Sequence, residues 1–199
     1  MIEGELQRKI EDFRDLGIPP YVPRDTELHL VDRMVSTVIG ARRSGKSFRV
    51  LQAADELIKQ GFIASIRQVC LVDFDNPILS GMAAKDMALI QSTFLKITPE
   101  CGLETPLLFI LDEIHRIPGW EDYVIDLSRN PDWTVIVTGS SSKLLKDDIS
   151  TALRGKSISS TVYPLSFGEY LRFTKFEGKP SSTKGQAEIR ARFDDYLKW

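Results

Sequence analysis

Short apolar runs alternate with amphipathic stretches along most of the chain. Runs such as "VCLV", "LLFIL" and "TVIVT" have the length of buried strands and are too short to cross a membrane. Between them, apolar residues recur at helical spacing. Strands that are apolar throughout and are separated by helices are typical of a mainly parallel sheet covered on both faces. The pattern therefore predicts an α/β fold.

The same pattern places the individual elements. Strands are predicted at 34–39, 69–74, 107–111, 133–138 and near 157–163. Helices are predicted at about 3–16, 46–60, around 82–96, 120–129, 164–176 and 186–199. Three prolines in "GIPPYVPRD" exclude a helix and predict an extended connector into the sheet. The polar stretch "EGKPSSTKG" predicts a flexible link before the last helix.

The stretch "GARRSGKSF", residues 40–48, follows the first predicted strand and leads into a helix. It contains the pattern G-x-x-x-x-G-K-[ST], in which backbone N–H groups cradle phosphates at the positive end of a helix. Lys46 supplies a cation for the β- and γ-phosphates, and Ser47 offers a hydroxyl to Mg²⁺. The alternative is a polar turn before an ordinary helix. The predicted nucleotide-binding residues are Gly40, Ala41, Arg42, Arg43, Ser44, Gly45, Lys46, Ser47 and Phe48.

A second motif, "LLFILDEIH", carries two carboxylates at the end of a buried strand. Open α/β sheets bind ligands at the carboxyl ends of their strands. Asp112 is the candidate metal ligand, since a phosphate-loop NTPase holds Mg²⁺ with such an aspartate. Glu113 is the candidate general base that accepts a proton from water. The alternative is that both carboxylates only begin a helix favourably.

Further candidates for catalysis follow the next strand. In "VIVTGSSSKLL", Ser140 could contact the γ-phosphate or the attacking water, with Thr138 as the reserve, although the serines could equally cap a helix at "KLLKDDI". Arg154 could stabilise charge in the transition state or be a surface charge. Arg42 and Arg43 are as consistent with solvent or a partner as with phosphate.

Composition narrows the class of protein further. A net charge of −2 gives no global attraction to nucleic acid or anionic lipid. The acidic start "MIEGELQRKIEDF" is unlike a secretory signal, which predicts a cytoplasmic protein that does not act at a membrane. Cys70 and Cys101 lack metal-ligand spacing and are predicted to be buried free thiols.

Taken together, the motifs resemble a known family. "GARRSGKS", "LVDFDNP", "LFILDEIHRIPGWEDYV", "VIVTGSSSKLL", "ALRGKS" and "YPLSFGEYLRF" are similar to archaeal and bacterial ATPases of the AAA+ superfamily in which an N-terminal AAA-type domain precedes a C-terminal domain of unknown role. The resemblance implies a three-layer phosphate-loop NTPase with a mainly parallel five-stranded sheet of order 5-1-4-3-2. It also implies ATP, Mg²⁺, the Walker B pair Asp112 and Glu113, and Ser140 at the sensor position.

The residue pattern and the resemblance together divide the chain. The pattern predicts an N-terminal helix and a proline-rich connector at 1–25, the resemblance implies an AAA-type ATPase domain at 26–176, and residues 177–199 are expected to be a linker with the start of a truncated C-terminal helical region. Where relatives commonly carry Gly-Arg, this chain has Gly155 and Lys156. A lysine cannot form the paired hydrogen bonds that an arginine forms with a phosphate, which argues against an arginine-finger role at this position. A homo-oligomer and an unidentified protein or nucleic-acid client are the implied partners.

The function expected from these residues is Mg²⁺-dependent ATP hydrolysis coupled to a partner or a conformational change. One alternative is a nucleotide-gated interaction module with negligible turnover. A small-molecule kinase is a further alternative, which Glu113 disfavours because a kinase needs no glutamate to activate water. The sequence lacks the N-K-x-D motif that reads guanine, which argues against a GTPase.

Overall fold

The computed structural model describes residues 2–102, 104–140, 151–178 and 181–198. Its centre is a parallel five-stranded sheet in the order β2-β3-β4-β1-β5. The strands are β1 Val35–Gly40, β2 Val69–Asp73, β3 Leu107–Asp112, β4 Trp133–Ser140 and β5 Ser157–Thr161. The predicted fold class and strand order are thereby confirmed.

Helices cover both faces of the sheet. They are α1 Ile2–Leu16, α2 Lys46–Lys59, α3 Ala88–Lys96, α4 Glu121–Leu127, α5 Phe167–Phe173 and α6 Thr183–Tyr196. Leu107, Phe109 and Leu111 of β3 face a core shared with α1, α3 and α4, whereas Leu108 and Ile110 face a second core shared with α2. This alternation along one strand produces the three predicted layers. Cys70 and Cys101 lie buried as free thiols, as predicted.

Some predicted boundaries were wrong, and local hydrogen bonds explain the differences. The helix predicted at 82–96 is preceded by a 3₁₀ turn, Ala84–Asp86, which closes because the Asp86 carboxylate accepts the Ala83 N–H at 3.0 Å. The last helix begins within the stretch predicted as a flexible link, since the Ser182 hydroxyl caps it by accepting the Gly185 N–H at 3.0 Å. The helix predicted at "KLLKDDI" lies outside the described residues.

The N-terminal helix is part of the main core. Leu6 and Ile10 are both fully buried, and α1 packs against α3 and β2. Leu16 at the end of the same helix is 84% exposed. We therefore expect Leu6→Ala to lower the free energy of unfolding by about 3 kcal/mol through the cavity it leaves.

Leu16→Ala is the matched control for this change, with an expected effect below about 0.5 kcal/mol. Chemical denaturation of both variants measures the difference. Equal stability losses in the two variants would contradict the packing of α1 against the sheet.

The strand ends bring the predicted motifs to one edge of the sheet. Gly40 at the end of β1 stands opposite Ser140 at the end of β4, and Asp73 at the end of β2 stands opposite Asp112 at the end of β3. The β4 strand therefore separates the phosphate-loop strand from the strand of Asp112 and Glu113, as predicted. The candidate site lies at this edge.

Candidate functional site

Two glycines give the phosphate loop its shape. Gly45 caps α2 with a φ of 91°, a left-handed conformation that favours glycine. A Cβ at Gly40 would lie 2.2 Å from the Val162 carbonyl oxygen, and a Cβ at Gly45 would lie 2.6 Å from Nη1 of Arg24. Larger residues would therefore clash with the backbone at the first position and with a buried guanidinium at the second.

Lys46 is the first residue of α2 and its side chain folds back over the loop. Its Nζ donates to the carbonyl oxygens of Gly40 at 3.3 Å and Ala41 at 3.1 Å. Lys46 is buried, and the same Nζ lies 3.8 Å from Oε1 of Glu113. The structure thus brings the candidate phosphate-binding cation close to the candidate base.

Thr138 joins the carboxylate of Asp112 to the backbone of Glu113. Its hydroxyl donates to Oδ1 of Asp112, and its oxygen accepts the backbone N–H of Glu113 at 3.0 Å. Thr138 is fully buried, and Asp112 is nearly so. The sequence suggested Thr138 only as a reserve for phosphate contact, whereas its contacts make it the support that orients Asp112.

Glu113 has an unusual backbone and an altered acidity. Its φ of 53° places a non-glycine residue in the left-handed region, immediately after β3. Burial raises the pKa of Glu113, and the nearby charge of Lys46 opposes that rise only in part. A carboxylate with a raised pKa is the better proton acceptor. His115 adds a neighbour, with its Nδ1 3.3 Å from Oε2 of Glu113.

The other predicted residues lie at different distances from this centre. Ser140 is half-buried beside the loop in register with Gly40, and Ser47 is exposed on the first turn of α2. Arg42 and Arg43 are exposed. The side chain of Arg154 is exposed and pairs with Asp122 at 3.0 Å.

Two residues of this region were missed by the sequence reasoning. Arg24 lies in the connector and Glu169 in α5, and their side chains form a buried ion pair beside Ser44 with an Nε–Oε1 distance of 2.8 Å. Glu169 also completes a capping box with Ser166, and the spacing S-x-x-E could have identified it as a structural residue. No local pattern distinguishes Arg24 from other connector residues.

An apolar cavity opens beside the loop. Its volume is about 480 Å³, and it is walled by the connector, the loop and the segment leading into α5. Tyr21, Val22, Phe48, Leu165 and Phe173 are among the residues that line it. A flat, largely apolar group attached to a phosphate chain would fit between these walls.

The donor set at this edge suits a nucleotide with Mg²⁺. The loop lies at the N-terminal end of α2, where backbone N–H groups are available to phosphate, and Ser47 and Asp112 offer the hard oxygens that Mg²⁺ requires. Among the described residues, no cluster of three or more metal-binding side chains occurs.

The chain is similar to known proteins. A model of the family described as "AAA domain" matches residues 32–171. An uncharacterized protein of Methanocaldococcus jannaschii is 30% identical over 179 residues, which cover 89% of this chain and 37% of the relative. An uncharacterized protein of Haemophilus influenzae is 31% identical over 137 residues, which cover 69% of this chain and 33% of the relative.

The chain thus spans about a third of the length of the curated relatives it matches. A solved structure titled "Structure of C. elegans PCH-2" aligns with a TM-score of 0.49 and 14% identity, covering 87% of this chain and 45% of that one. Within the described residues, we find no helix with the length and apolarity needed to span a membrane.

Proposed function

Because the chain belongs to the family of AAA domains, whose model matches residues 32–171, we propose that it binds ATP with Mg²⁺ and hydrolyses it. One observation carries the proposal. Lys46, Asp112 and Glu113 meet at the carboxyl edge of the sheet, with Lys46 Nζ 3.8 Å from Glu113 Oε1 and Asp112 next in the chain. This combination supplies a phosphate-binding cation, a metal-binding oxygen and a base for water.

Each residue has a defined task in the proposed reaction. The loop N–H groups and Lys46 bind the β- and γ-phosphates, and Glu113 accepts a proton from the attacking water. Thr138 holds Asp112 and the backbone of Glu113 in place. Mg²⁺, held by Ser47 and Asp112, would neutralise charge on the phosphates. Ser140, which pairs with Gly40 across β1 and β4, would orient the γ-phosphate.

We place the base of the nucleotide in the apolar cavity beside the loop. Phe48 lies on α2 two residues after Lys46, and Tyr21 and Leu165 stand on other walls of the same cavity. Stacking on these side chains would anchor the base while the loop holds the phosphates. Arg154 would need to leave Asp122 to reach the phosphates, so we assign it a role only in a rearranged or assembled state.

A nucleotide-gated module remains the second candidate, and one contact favours it. In this structure the candidate base lies beside the lysine that should bind phosphate, so activation of water depends on nucleotide drawing Lys46 away. A chain that binds ATP and changes shape without turnover would use the same contact. Under either function, coupling to a protein or nucleic-acid client, homo-oligomerisation and a cytoplasmic location are proposals.

Phosphate release by the purified chain tests the proposal. With ATP and Mg²⁺ we expect phosphate release above the no-enzyme background, and with excess EDTA we expect that release to disappear, because Ser47 and Asp112 then have no metal to hold. GTP serves as the comparison nucleotide. Tight ATP binding without phosphate release would favour the gated module, and failure to bind ATP would contradict both functions.

A further inference from the structure

A buried arginine of the connector contacts the phosphate loop. Arg24 is 6% exposed. Its Nη1 donates to the Ser44 carbonyl oxygen at 2.6 Å, its Nη2 to the Tyr163 carbonyl oxygen at 2.7 Å, and its Nε to Oε1 of Glu169 at 2.8 Å. A single guanidinium therefore joins the connector, the loop and the segment that leads into α5.

Glu169 fixes the orientation of that guanidinium. Its Oε1 also accepts the backbone N–H of Asp25 at 2.9 Å, and its Oε2 accepts the backbone N–H of Ser166 at 2.7 Å. Burial raises the pKa of Glu169, but the hydrogen bonds from Arg24, Ser166 and Asp25 outweigh it and lower the pKa to about 2. Glu169 is therefore ionised at neutral pH and holds Arg24 through a charge-assisted bond.

The loop peptide that Arg24 holds is the one between Ser44 and Gly45. In a planar trans peptide the C=O and N–H point in opposite directions, so a fixed Ser44 carbonyl also fixes the Gly45 N–H. Arg43, one residue before Ser44, and Gly45 both have a left-handed backbone conformation, with φ of 64° and 91°. Glycine permits many backbone conformations, so this peptide needs an external restraint.

We propose that Arg24, oriented by Glu169, is a positioning residue of the nucleotide site that holds the Ser44–Gly45 peptide with its N–H facing the phosphates. The inference rests on the proposed function, because it assigns a role within the same site. Since Arg24 also holds the Tyr163 carbonyl, the segment leading into α5 is tied to the loop through one side chain.

The test compares two buried arginines. Arg49 has the same chemistry, because it is 4% exposed and its side chain donates to the Thr26 carbonyl and to Glu56, but neither partner belongs to the loop. A lysine cannot reproduce the forked contacts of either arginine. We expect Arg24→Lys and Arg49→Lys to lower the melting temperature comparably.

Only Arg24→Lys is expected to weaken the binding of Mg·ATP, by about tenfold or more. The reason is that this variant loses the hydrogen bond to the Ser44 carbonyl oxygen, which holds a loop that binds a charged ligand. Inorganic tripolyphosphate is the second probe, because Arg24 also lines the cavity and this probe has no base. A similar loss for tripolyphosphate assigns the effect to the loop. An effect on ATP alone would overturn the inference and assign Arg24 to the cavity.

The outcomes separate the two proposals. A folded Arg24→Lys chain that binds ATP as tightly as Arg49→Lys would overturn the positioning role and leave the proposed function standing. A wild-type chain that binds no nucleotide would overturn both. If Arg24→Lys does not fold, Glu169→Gln replaces it, since glutamine keeps the shape of the side chain but removes its charge. Unchanged tripolyphosphate affinity in a folded Glu169→Gln chain would also overturn the inference.

Discussion

Replacing Glu113 with glutamine is expected to leave ATP binding intact while lowering the rate of phosphate release by about 10²- to 10⁴-fold, the usual contribution of a general base. Glutamine fills the same space after β3 but cannot accept a proton from water. It also removes the negative charge 3.8 Å from Lys46 Nζ, which frees the lysine for phosphate. ATP affinity should therefore be unchanged or slightly tighter.

Single-turnover phosphate release and equilibrium ATP binding measure the two halves of this result. Glu104→Gln is the matched control, since Glu104 is an exposed carboxylate before the opposite end of β3. We expect the control to behave as wild type in both assays. Equal turnover in Glu113→Gln and wild type would show that another group activates water.

Replacing Lys46 with alanine should remove most of the affinity for ATP. The ammonium group of Lys46 lies over the loop, on the carbonyl oxygens of Gly40 and Ala41. A hydrogen bond between charged groups contributes about 3 kcal/mol, so its loss corresponds to a decrease in ATP affinity of roughly 100-fold. The change also leaves the carboxylate of Glu113 without its neighbouring cation, so repulsion of phosphate adds to the loss. Titration of a fluorescent ATP analogue measures this affinity.

Lys59→Ala is the control for this change. Lys59 ends the same helix, is exposed, and pairs with Asp55 one turn earlier. We expect its removal to leave ATP affinity within about twofold of wild type, because an exposed pair contributes little. Retained ATP affinity in a folded Lys46→Ala chain would mean that the loop does not bind the phosphates.

The features of the site that depend on local sequence were predictable. "GARRSGKS" after an apolar run and "LLFILDEIH" as a buried strand each carry their structural context within a few residues. The alternation of apolar strands with helices along the chain predicted the parallel sheet. The order of its strands came from the family resemblance. The site assignments themselves stay predictions until nucleotide binding is measured.

The unpredicted features depend on contacts between distant parts of the chain. Arg24 and Glu169 are separated by 145 residues, and only the folded sheet brings them together. Thr138 lies 26 residues from Asp112, and its hydroxyl could not be assigned to a carboxylate before the β3–β4 pairing was known. The approach of Lys46 to Glu113 likewise follows from the positions of α2 and β3.

The position of β1 in the sheet has a consequence for synthesis of the protein. β1 is the first strand of this sheet in the chain, yet its neighbours are β4 and β5, so Val35 has partners on both sides only after Val135 and Ser157 have been synthesised. Such long-range pairing slows folding and leaves apolar strands exposed meanwhile. The phosphate loop at the end of β1 therefore acquires its final surroundings only after β4 and β5 have been synthesised. A nucleotide that binds this loop would therefore stabilise the completed sheet and not the steps that precede the pairing of β1.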